Sequence, residues 1–182
     1  MLFRSSGVGV AALQTGKALG ARVIGTSGSA DKLARLETLG LDLGLRTRAS
    51  DFHDAVMKAT DSKGVNLVVN NVGGSLFAEC VRVLAFEGRL ATVGHMDRVH
   101  TATLDLEGLH ARRLTVFGVS NRLRTAAQRA ETVRGFVRDV LPRFEDGRLR
   151  PLVDRAFGFG ELPAAIAFME SDTQVGKIVV RV

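Results

Sequence analysis

The stretch "VNLVVNN" is almost continuously apolar from Val65 to Val69, and this restricts the fold more than any other feature of the chain. A strand with water on one face alternates apolar and polar residues. One that does not alternate is covered on both faces, as the central strands of parallel sheets are. Val23-Ile24 and the run from Leu90 to Val93 read the same way. Helical spacing recurs between these runs, so strand and helix alternate along the chain and the expected architecture is a doubly wound α/β domain with a parallel sheet.

The helices can be placed from their caps and apolar faces. Residues 8–19 put Val8, Ala11, Ala12, Thr15 and Leu19 on one face and end at Gly20. Ser29 is the expected cap of a helix whose Leu33, Leu36 and Leu39 face inward. A short strand at 43–47, a helix after Ser50 carrying Phe52, Val56 and Ala59, and the turn Asp61-Ser62-Lys63-Gly64 lead into the apolar run. Ser75 is the expected cap of a helix within "GGSLFAECVRVLAFEG", and a helical stretch near 104–110 precedes the strand "LTVFGVS". The helix over 125–141 opens with a capping box, Thr125 and Gln128, and should present Ala130, Val133, Phe136, Val137 and Val140 to the sheet. From Leu149 to Val182 the pattern is strand, short helix, strand.

Composition narrows the function. A chain of 182 residues holds one domain and a remainder. No apolar stretch approaches the ~18 residues of a membrane helix, and "MLFRSSG" lacks the apolar core of a signal peptide, so a cytoplasmic protein is expected. Cys80 is the only cysteine, which excludes an intrachain disulfide and a cysteine-rich zinc site. His53, His95, His100 and His110 show no ligand spacing, and no metal site is expected. The net charge of +6 fits a nucleic acid or a polyanionic cofactor. The arginines of 111–150 are interleaved with acidic residues at helical spacing, and Trp and Tyr are absent, so nucleic acid is not the expected partner.

The phosphate-binding pattern stands at the very start. "SSGVGV" leads into the first helix and then into "RVIG", as in a nucleotide-binding βαβ unit, but only Met1-Leu2-Phe3 precede the loop, fewer than a buried parallel strand usually has. The blocks "SSGVGVAALQTGKALGARVIGTSGSADKL", "NLVVNNVGG", "GRLATVG" and "GKIVV", in this order, resemble the cofactor half of a quinone oxidoreductase-like medium-chain dehydrogenase/reductase without zinc. The resemblance implies a Rossmann sheet with a truncated first strand over residues 1–148. It also implies that 149–182 is a strand-helix-strand remnant returning to a GroES-like catalytic domain that lies outside these residues. It further implies a nicotinamide dinucleotide cofactor, hydride transfer to a quinone or enone, and a homodimer formed through the strand from Thr115 to Val119. A non-catalytic nucleotide-binding or assembly module is the alternative.

Site residues follow from the same blocks. The backbone at Ser6, Gly7 and Val8 would face the pyrophosphate at a helix N-terminus, although a glycine-tolerant turn would use the same residues. Arg4 stands where the family carries a small residue. At the end of the second strand, "GTSGSADK" offers Ser27 and Lys32 where an NAD site would place a carboxylate, which favours NADP(H) over NAD(H), with Arg46 or Arg48 as additional cations. Asn71 and Val72 would line the nicotinamide ribose side, and Gly94 would let the next strand approach the cofactor; a plain strand-end turn is the other reading of "NNVGG". A short-chain dehydrogenase is excluded because the chain has no tyrosine to serve its chemistry. No catalytic acid is assigned; His95 follows the Gly94 strand end but reads as a loop histidine.

Overall fold

Six parallel strands form one sheet in the order β3-β2-β1-β4-β5-β6, in a computed structural model that describes the backbone of Leu2–Arg4 and residues 7–182. The strands are β1 (Leu2–Arg4), β2 (Ile24–Ser27), β3 (Leu43–Arg46), β4 (Val65–Asn70), β5 (Leu84–Thr92) and β6 (Thr115–Gly118). Helices α1 (Gly7–Ala18), α2 (Ala30–Glu37), α3 (His53–Ala59), α4 (Phe77–Arg82) and α5 (Leu106–Ala111) connect them. Short as it is, β1 holds the centre, with Leu2 in register with Ile24 on one side and with Val68 on the other.

The expected α/β class is therefore the one observed, and adjacent residues show how both faces are covered. Val23 packs with Val10, Leu13, Leu33 and Leu36 of α1 and α2, while Ile24 packs with Phe52, Val56, Val68 and Leu90 beneath α3 and α4. Successive strand side chains point to opposite faces, so the two clusters lie on the two sides of the sheet. Burial of the fully enclosed Leu13, Leu36 and Leu90 contributes roughly 1.5–3 kcal/mol each. Ser29 caps α2 by accepting the Lys32 amide at 3.3 Å, and Thr125 and Gln128 form the capping box of α6 (Ala126–Asp139), both as the sequence indicates.

Three local expectations differ. The buried side of α1 carries Val10, Leu13 and Gln14, whereas Val8 and Leu19 are 46% and 63% exposed. The helix is apolar or small nearly all round, so its spacing does not define which side meets the sheet; Gln14 is taken inside because its Oε1 accepts the Arg150 amide at 2.8 Å. Ser75 is not a cap: residues 74–76 form a 3-10 turn, α4 begins at Phe77, and the Ser75 amide and hydroxyl both donate to Asp97. Ala130, Val133, Phe136 and Val137 of α6 do not meet the sheet. Val133 is 59% exposed, and Phe136 instead packs on Phe144 of α7 (Leu141–Glu145), with ring centroids 6.1 Å apart.

The half of the sheet face flanked by the outer side of α1 is consequently open. Leu67 and Val69, expected to be covered on both sides, are only half-buried, and with Val8, Ala11, Leu19 and Ala85 they line an apolar cleft of about 850 Å³. After α7 the chain forms β7 (Val153–Gly158), α8 (Leu162–Glu170) and β8 (Lys177–Arg181), the expected strand-helix-strand unit. This unit is docked on α1 and α2: Val175 is fully buried against Val10 and Leu13, and Arg35 pairs with Asp154.

Candidate functional site

The carboxyl ends of β2, β4 and β5 border two clefts that share Asn71 and Met96. They form one trough across the point where the strand order reverses, between β1 and β4. Lys32, Arg35 and Arg48 line the first and Lys177 the second.

The first cleft, of about 470 Å³, lies at the end of β2 and is lined by Ser27, Ser29, Lys32, Arg48 and the turn after α8. Lys32 is in the first turn of α2, the Ser29 cap fixes that turn, and its side chain runs inward so that only 10% is exposed. Arg48 arrives from beyond β3 and lies across Gly28, where a side chain at residue 28 would overlap it. Among the described residues Arg48 makes no ion pair. Of the two additional cations the sequence offered, Arg48 lines the cleft and Arg46 does not. Thr47 is engaged in its own turn, accepting the Ala49 amide at 3.0 Å and donating to the Asp51 carboxylate at 2.5 Å. Ser27 is buried, and its hydroxyl accepts the Ser29 amide at 3.3 Å. Lys32 is ion-paired, with Nζ donating to the main-chain oxygen of Asp172 and to its Oδ1 at 3.2 Å. The cleft also holds Asp31, so the cations share it with two carboxylates.

The second cleft, of about 400 Å³, is lined by Gly7, Val8, Asn71, Gly94, Gln174 and Lys177. Gly7 and Val8 open α1 and so lie at the positive end of its helix dipole. Ser6 lies outside the described residues. Lys177, the first residue of β8, reaches back so that its Nζ lies 3.5 Å from where a Gly7 side chain would begin, with no ion pair among the described residues. The sequence marks Lys177 only as part of "GKIVV"; no local pattern places it beside a loop 170 residues earlier.

Between the clefts, the strand end after β4 is held by Asn70 and Asp97. The buried Asn70 amide donates to the Gly73 carbonyl at 2.9 Å, and its Oδ1 accepts the Val72 and Gly73 amides at 3.0 and 3.1 Å. Burial alone would raise the Asp97 carboxyl, but hydrogen bonds from the Ser75 hydroxyl and from the Val99 and Ser75 amides hold it below the usual carboxylate range. This turn places Asn71 in both clefts. Val72 lines neither of them and is buried. Gly94 lines the second cleft, where a Cβ would meet the Asn71 carbonyl at an ordinary 3.4 Å. His95 lines neither cleft and packs edge-on against His100, ring centroids 4.7 Å apart.

A trough at the switch point of a 3-2-1-4-5-6 sheet, with a helix N-terminus and free cations along it, fits a phosphate-rich dinucleotide. It defines an oxidoreductase-type NAD(P)-binding domain. The chain belongs to the zinc-binding dehydrogenase family, whose model matches residues 7–135, and its fold is that of a medium-chain dehydrogenase/reductase cofactor-binding domain. It is 33% identical over 178 residues to a phenolphthiocerol/phthiocerol polyketide synthase protein of Mycobacterium tuberculosis, covering 98% of this chain and 8% of that protein. Among solved structures, an NAD-dependent alcohol dehydrogenase is 30% identical with a TM-score of 0.78, covering 100% of this chain and 50% of that one. The CurK enoyl reductase is 25% identical with a TM-score of 0.77, covering 98% of this chain and 53% of that one. The chain thus spans a small part of the curated relative and about half of each of these structures. No helix among the described residues is long and apolar enough to cross a membrane.

Proposed function

We propose that this chain binds NADP(H) in preference to NAD(H), as the cofactor domain of a zinc-independent reductase acting on a quinone or enone. The observation that carries the preference is the convergence of Lys32 and Arg48, with Ser27 and Ser29, at the end of β2, where the 26–29 loop brings no carboxylate. Two cations and two hydroxyls match the charge and hydrogen-bond demand of a 2′-phosphate.

The remaining parts of the trough have complementary tasks. The Gly7 and Val8 amides would donate to the pyrophosphate, and Lys177 would add a positive charge at the same place. Asn71, held by the Asn70 turn, and Gly94 would border the nicotinamide ribose. When bound, the nicotinamide would supply the hydride that adds to the β-carbon of an enone or to a quinone. No proton donor is assigned among the residues of the trough. A second copy is expected to pair through the strand from Thr115 to Val119, since β6 is the outer strand of the sheet.

Titration of NADPH and NADH, followed by their own fluorescence, tests the cofactor assignment. Lys32→Ala and Arg48→Ala should each weaken NADPH about tenfold, the equivalent of one charge-assisted hydrogen bond, and leave NADH nearly unchanged. Equal affinity of the wild-type chain for both cofactors would overturn the phosphate-site assignment.

A further inference from the structure

The first cleft already contains an anion of its own. Asp172 is 140 residues from Lys32 in sequence, yet it supplies both acceptors of the Lys32 ammonium, its main-chain oxygen and its carboxylate. The contact belongs to a built turn. Ser171 Oγ donates to the Phe168 carbonyl at 2.7 Å and shares a hydrogen bond with Thr173 Oγ1 at 2.8 Å, and Asp172 itself has a left-handed backbone with φ of 51°. The three residues form one wall of the cleft. The two sides of the pair differ in one respect that matters: the Lys32 side chain is 10% exposed, whereas that of Asp172 is 65% exposed. The ammonium is fixed in place, and the carboxylate can turn into water.

We propose that Asp172 is a specificity-determining residue that occupies the 2′-phosphate's position on Lys32, so that discrimination between NADPH and NADH is set by the Lys32–Asp172 pair and not by Lys32 alone. This rests on the assignment of the first cleft to the 2′-phosphate. A 2′-phosphate approaching Lys32 meets the Asp172 carboxylate at the same ammonium, and two anions that close repel. The carboxylate rotates outward and is rehydrated, while the Asp172 main-chain oxygen keeps its hydrogen bond to Lys32. NADH brings a ribose hydroxyl, which is neutral and leaves the ion pair in place. The internal pair therefore lowers the affinity for the phosphorylated cofactor alone. Arg48, without an ion pair among the described residues, gives the phosphate a second cation.

The test is a double-mutant cycle read as dissociation constants for NADPH and NADH, with wild type, Asp172→Asn, Lys32→Ala and the double variant. Asn adopts a left-handed backbone readily, so Asp172→Asn keeps the turn, and Asp172→Gly, which also tolerates that φ, serves as a second carboxylate-free variant. Asp172→Asn should tighten NADPH about fivefold, with NADH within about twofold, and the gain should vanish in the Lys32→Ala background. If neither carboxylate-free variant tightens NADPH while Lys32→Ala still narrows the preference, Asp172 has no such role and the phosphate site stands. A gain of equal size without Lys32 would also overturn the proposal, because it would be a general effect of charge. If Lys32→Ala leaves the NADPH-to-NADH ratio unchanged, or neither cofactor binds, the phosphate-site assignment falls and this proposal with it.

Discussion

Cys80 shows what burial does to a single side chain. It lies in α4 beneath the sheet, where burial and the neighbouring Glu79 carboxylate push its thiol up to about 12. A thiolate is the reactive form, so at mildly alkaline pH the folded chain presents almost none. A disulfide reagent should therefore label the native protein only through opening of α4 and label a full equivalent at once in concentrated guanidinium; rapid native labelling would contradict this placement. Glu79 is itself buried, donating nothing and accepting from Arg82 at 2.8 Å and from the His53 amide at 2.8 Å, which ties the start of α3 to α4. No sequence pattern identifies that link, since a Glu in a helix with Arg three residues on reads as an ordinary surface pair.

At the scale of an element, the turn after β4 is defined by two demands made at once on Gly73. Its backbone has φ of 134°, and a Cβ there would overlap the Asp97 carboxylate that holds Ser75 and Val99. Gly20, which ends α1, has φ of 80° with nothing within 4 Å of a would-be Cβ. Backbone strain alone should make Gly20→Ala cost about 1 kcal/mol, while strain and collision together should make Gly73→Ala cost about 3 kcal/mol or more. Urea unfolding with an unchanged slope reads both values. Equal costs would show that Asp97 moves aside freely. The Gly73 variant should also weaken both cofactors alike, because the turn sets Asn71 in the trough.

Across the whole molecule, apolar surface is distributed unevenly. The open half-face at Leu67 and Val69, the exposed Val133 and Val137 of α6, and the edge strand β6 are sites where association would bury what this chain leaves in water. Pairing across a two-fold axis through the strand from Thr115 to Val119 would extend the sheet without closing over the cofactor trough, which lies at the strand ends. Light scattering at tens of micromolar, on the order of usual working concentrations, should give twice the chain mass. A monomer at that concentration would remove the edge-strand interface from the reading.

Much of this protein was legible in local residue pattern. The uninterrupted apolar run of β4, the alternation of elements, the Ser29 cap and the Thr125-Gln128 box all follow from periodicity and capping, which act over a few residues, and they carried the fold class; Ser27 and Lys32 were singled out by the family resemblance of the block around them. The side of α1 that meets the sheet was not legible, because apolar and small residues surround that helix and the choice was made by Val175 and Arg150 from the far end of the chain. The same holds for Arg48 over Arg46, for Lys177 beside Gly7, and for Asp172 on Lys32. Each depends on which distant backbone the fold brings within reach of a charged side chain, a distance that only the tertiary structure determines.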